Sequence, residues 1–159
     1  LDSIAERHAA DLRRLLRAKL GLTGEDPGDA QLIDDLLAGM ASARADYTST
    51  WRLLAGWLRG IRDSEIPGVQ QDWLARWLSR LSSDHAGAAD AMDAVNPVYV
   101  PRNHLVEAAL AAADLGDLAP FERLLAAVRA PYAEVPDRPD LARPGSAEFT
   151  ARHVTFCGT

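Results

Sequence analysis

The chain closes on "TARHVTFCGT", and its single cysteine, Cys157, stands two residues from the end. A cysteine works as a nucleophile or redox group through its thiolate, and nearby cations favour that form. Arg152 and His153 lie just ahead of it and are the only such groups close in sequence. With no second cysteine, an internal disulfide is impossible, which excludes a disulfide-stapled scaffold and favours a reducing, cytoplasmic setting. Read from the residues alone, a free thiol at a frayed end is the plainer alternative.

Other chemistry-bearing residues form no pattern of their own. The four histidines, His8, His85, His104 and His153, never pair at the i, i+4 spacing of a helical zinc site. The acids of "GEDPGDAQLIDD" lack the alternating ligands, central glycine and terminal glutamate of a calcium loop; a solvated loop followed by a helix cap accounts for them. Trp51, Trp57, Trp73 and Trp77 lie at helical spacing beside leucines, the pattern of a core or interface more than of a ligand platform. Glycine-rich phosphate loops and a serine nucleophile elbow are both missing.

Composition narrows the classes further. The 159 residues are 48% hydrophobic and 25% charged, as in a soluble globular domain. A net charge of −6 argues against a general nucleic-acid binder, which needs a basic face. Lys19 is the only lysine. No apolar run approaches the ~20 residues of a membrane span, and no signal peptide is visible. The first residue is Leu1, which suggests a piece of something longer.

These residues must be positioned by helices. Ile4, His8, Leu12, Leu15, Leu16 and Leu20 make one stripe ending at Gly21. Leu32, Ile33, Leu36, Leu37 and Met40 make a second, with Asp29 as the expected N-cap. A third helix opens near Asp46 and carries Trp51 and Leu54. The fourth carries Trp73 and Trp77, and a short alanine-rich fifth follows. Two more are expected, from about Pro101 and after Asp117. From Pro131 onward four prolines and no helical period predict an extended arm, with "HVTF" the only weak strand-like stretch.

Three stretches, in this order, resemble a known family: "LLRAKLGL" with "ADYTSTWRLL" after it, then "NPVYVPRNHLVEAALAAADLGDLAPFERLLAAVRAPYAEVP", then the terminal "HVTFCGT". Together they resemble the C-terminal third of selenoprotein O and its cysteine-containing bacterial relatives. The resemblance implies a kinase-like protein, similar to pseudokinases, that transfers AMP from ATP to hydroxyl side chains of proteins with a divalent metal ion such as magnesium. It implies that the nucleotide lysine, the metal-binding residues and the catalytic base lie upstream, so this chain holds no catalytic, nucleotide-binding or metal residue. Lys19, on a helix, does not match the strand-borne nucleotide lysine. Cys157 matches the family's redox position, although Gly158 and Thr159 replace its serines, and Val98 and Pro101 depart from its usual residues. A disulfide from Cys157 to the kinase-like part is implied as a tether that gates access.

The expectation is an all-α fold of about seven helices. Residues 1–130 form a helical body, the distal part of a kinase-like C-lobe, and residues 131–159 form the arm. The expected partners are the upstream kinase-like part of the same protein and its protein substrates, with no nucleic acid or membrane. A self-standing, non-catalytic helical interaction module is the alternative.

Overall fold

The computed structural model describes residues 2–61 and 65–153. Among them are nine helices and no strand, so the fold is all-α. The helices are α1 (Asp2–Lys19), α2 (Asp29–Ser42), α3 (Tyr47–Leu58), α4 (Gln71–Arg80), α5 (His85–Val95), α6 (Asn103–Asp114), α7 (Ala119–Arg129), α8 (Pro139–Ala142) and α9 (Ala147–Arg152). The seven longer ones match the seven expected. The two short ones lie in the proline-rich segment, which is therefore not extended throughout. Pro139 opens α8, a position where a missing N–H has no helical partner to lose.

The helix ends follow local chemistry with three corrections. Asp46 caps α3 as expected, accepting from the Ser49 N–H at 2.8 Å. Gly21 follows α1 at φ +68, the left-handed value that suits a glycine. Asp29, however, is the first helical residue of α2 and not its cap, because Arg80 of α4 holds its carboxylate. Asp117 accepts from the Ala119 N–H, one position ahead of the cap residue Leu118, and α6 starts at Asn103, not Pro101.

The chain divides between Pro97 and Val98 into two compact units. In the first, α3 packs on α5, α2 on α4, and α1 on both α5 and α2. Its core gathers Leu16, Leu20, Leu36, Leu54, Met92, Trp51, Trp73 and Trp77, among others. Trp73 and Trp77 stack at 5.5 Å, and each indole N–H meets a backbone carbonyl: Trp73 to Leu32 at 2.8 Å, Trp77 to Leu20 at 3.0 Å. Buried indoles need such acceptors. In the second unit α6 packs on α7 around Val98, Tyr99, Leu124, Ala127 and Leu141. Leu141 of α8 belongs to that core, so packing joins part of the proline-rich segment to α6 and α7. This grouping differs from the sequence-based division at residue 130.

Candidate functional site

Cys157, the only redox candidate, lies outside the described residues; His153 is the last described residue before it. What the structure does place is the anchorage leading towards that thiol. α9 has six residues and buries none of them fully, so it cannot stand without outside contacts. Ser146 caps it, accepting from the Phe149 N–H at 3.1 Å. Phe149 stacks on His153 at 5.1 Å and meets the His104 ring edge-on at 5.7 Å. His153 Nδ1 lies 2.9 Å from Glu107 Oε1, and its Nε2 lies 2.9 Å from the Asn103 amide nitrogen. With that amide as donor, Nε2 accepts and the ring's proton sits on Nδ1, facing the carboxylate. Three residues of α6 thus hold the last turn before the cysteine-bearing end.

The same unit carries a second fastening. The Val98 and Tyr99 N–H groups both donate to the Pro131 carbonyl, at 2.7 and 3.2 Å. The buried Tyr99 hydroxyl engages both backbone groups of Val135. Arg123 forks onto Asp140 at 2.6 and 2.7 Å and also donates to the Asp137 carbonyl. The Arg123 guanidinium holds the Asp140 carboxyl at about 2, well below its ordinary value. "NPVYVPRN" is therefore stitched to "APYAEVP" and to the end of α9.

The remaining candidates fall into structural roles. His8 is exposed on α1, and His85 is the first residue of α5. Trp51, Trp73 and Trp77 are buried in the core and offer no stacking face, and the partly buried Trp57 packs against them. The acidic loop is tied down by Arg80, whose Nε lies 2.7 Å from Asp29 Oδ1 and whose other nitrogen reaches the Thr23 carbonyl. Asp29 raises the Arg80 guanidinium further still.

Lys19 donates to Asn96 Oδ1 at 3.0 Å, while the Asn96 amide donates back to the Lys19 carbonyl at 2.9 Å. Its ammonium lies 5.4 Å from the Trp51 ring centre and 5.9 Å from that of Tyr47. Burial lowers its pKa. This lysine ties the end of α1 to the residue capping α5, a fastening role unlike that of a phosphate-binding lysine. Among the described residues no three His, Cys, Asp or Glu side chains converge to hold a metal ion.

Sequence reasoning missed Asn96, Tyr99, Asn103, Glu107 and Arg80 as positioning residues. The one available signal was that four of them sit in or beside the motif "NPVYVPRNHLVE".

No family model matches the chain. Individual relatives do. A protein nucleotidyltransferase YdiU of Cereibacter sphaeroides is 46% identical over the whole chain, which covers 33% of that protein. The proteins of the same name from Mycolicibacterium paratuberculosis and Rhodococcus jostii are 47% and 42% identical, over 91% and 100% of the chain and 30% and 32% of their own lengths. The chain thus spans about a third of the length of the curated relatives it matches. No helix among the described residues is long and apolar enough to cross a membrane. Over the third of their length that it spans, the chain is similar to these protein nucleotidyltransferases, in agreement with the resemblance to the C-terminal third of the selenoprotein O family.

Proposed function

We propose that this chain is the C-terminal helical portion of a protein adenylyltransferase. The whole protein would transfer AMP from ATP, with magnesium, to serine, threonine or tyrosine hydroxyls of other proteins. The observation that carries this reading is similarity along the entire chain to proteins three times as long that are named nucleotidyltransferases. The internal roles of Lys19 and the tryptophans support placing the chemistry elsewhere in the protein. This portion's task is then to hold the terminal segment bearing Cys157. The α9 anchorage on Asn103, His104 and Glu107 suits that task, because it fixes the chain four residues ahead of the thiol.

Cys157 would act by oxidation with a thiol of the kinase-like part. Two thiols would lose two electrons and two protons to an oxidant such as a peroxide, forming one disulfide. The longer protein, given magnesium and ATP labelled at the α-phosphate, is expected to label protein hydroxyls, and the 159-residue chain is expected to give no heat on ATP titration. Label transfer from the γ-phosphate instead would overturn the reading. Disulfide mapping after peroxide treatment tests the cysteine: Cys157 found only as free thiol, under oxidation that changes activity, removes its redox role.

A further inference from the structure

Most of α1 is left exposed by the described residues. From Ser3 to Leu15 every residue is exposed except the half-buried Ala9, and full burial begins at Leu16. Ile4, Leu12 and Leu15 are 61%, 48% and 50% exposed. With His8 they fall four, four and three residues apart, which places them on one helical face. The polar residues of this stretch bond locally: Arg7 to the Ser3 carbonyl, and Arg14 to Asp11. A helical stretch of about a dozen residues is marginal in water unless an apolar face is packed. This stretch has the face and lacks the packing.

Its cover must come from outside these residues, and the relatives bound the choice. The chain is 33% of the length of a relative that matches it from end to end. A second copy is the poorer occupant. Three aliphatic side chains and a histidine offer a few hundred Å² at most, roughly, against about 800 Å² per partner in a standard interface. Docking within one polypeptide avoids the entropy cost of association and needs far less area. We propose that the α1 stripe Ile4–His8–Leu12–Leu15 seats in an apolar groove of the remaining two thirds of the same protein. This rests on the reading above that the chain is part of a longer nucleotidyltransferase.

Hydrogen exchange followed by mass spectrometry tests it, on the longer protein and on the 159-residue chain. Amides of residues 5–15 are expected to exchange at least about tenfold more slowly in the longer protein. Leu12→Glu with Leu15→Glu should abolish that slowing there and leave exchange around Trp51 unchanged. Equal, fast exchange in both proteins overturns the docking. Slowing in the 159-residue chain that grows with its concentration also overturns it, by assigning the stripe to a second copy. A gene encoding nothing beyond these residues overturns instead the reading on which the docking rests.

Discussion

The Tyr99 hydroxyl bonds twice to a single residue thirty-six positions away: it accepts from the Val135 N–H at 3.0 Å and donates to the Val135 carbonyl at 3.2 Å. A side-chain hydroxyl here takes the place of a backbone partner for a segment that has no regular structure of its own. Tyr99→Phe keeps the ring and removes the acceptor of the Val135 N–H, while the Val135 carbonyl keeps the Arg138 N–H. It is expected to lower the stability of the second unit by about 1–3 kcal/mol, read by denaturant unfolding. It should also speed exchange of the Val135 amide, and an unchanged amide would show that the clamp is dispensable.

Asp140 gives a pH signature. Its folded pKa, about 2, lies below its ordinary 3.8 because of Arg123. A depressed carboxyl contributes stability above the unfolded value and loses it as pH falls through the folded one. The contribution of this pair should therefore be constant above about pH 5 and fade between about pH 4 and 2. Both side chains are about half exposed, so solvent screens the pair and the effect is small. Carboxyl chemical shifts read it directly: an Asp140 midpoint near 4 would contradict the fork.

Gly39 and Gly68 meet backbone to backbone. A methyl group on Gly39 would collide with the Gly68 carbonyl oxygen, and one on Gly68 with the Gly39 carbonyl. Gly68 also sits at φ +81. Neither position can relax by moving a flexible side chain, so Gly39→Ala and Gly68→Ala should each cost about 2–4 kcal/mol. Gly24→Ala is the control. It shares a positive φ of 69 but has open space around it, so only the conformational cost of about 1 kcal/mol applies. Equal losses at positions 24 and 39 would refute the close approach.

Asp29 is 4% exposed and meets Arg80 through both carboxylate oxygens, at 2.7 and 3.2 Å. Asp29→Ala should destabilise the first unit by about 2–4 kcal/mol, since it strands a guanidinium and frees the loop that precedes α2. Asp29→Asn should cost less, because an amide oxygen still accepts one bond. Thermal melts of the two variants give the order, and its reversal would assign the loss to packing.

His153→Ala removes the ring stacked on Phe149 and both polar contacts to α6. Exchange in α9 should rise close to that of an unfolded hexapeptide, while α6 and α7 keep their protection. Protection retained in α9 would mean that Phe149 and the Ser146 cap suffice.

Much of the helical layout was legible in advance. The 3.6-residue period exposed the stripes of α2 and α3, and the one-turn spacing of Trp73 and Trp77 read as core because a helix repeats its inward face every turn. Asp46 read as a cap for an equally local reason: its acceptor reaches only three residues ahead. The stripe of α1 was legible as apolar but not as uncovered, since periodicity shows which face seeks a partner and not whether one is present.

The cross-chain fastenings were decided by tertiary structure alone. Lys19 and Asn96 are 77 positions apart, Arg80 and Asp29 51, and His153 and Asn103 50. Beyond the motif that holds Asn96 and Asn103, the surrounding sequence does not mark these partners, because a hydrogen bond depends on the distance that packing creates. Packing also took Asp29 from the cap to the core, where a guanidinium fixed by α4 and the Asp26 N–H together hold its carboxylate. The sequence by itself determined that this is a helical chain with a recognisable family resemblance. The folded arrangement decided which of its polar residues became fastenings, since those pairings exist only once distant helices meet.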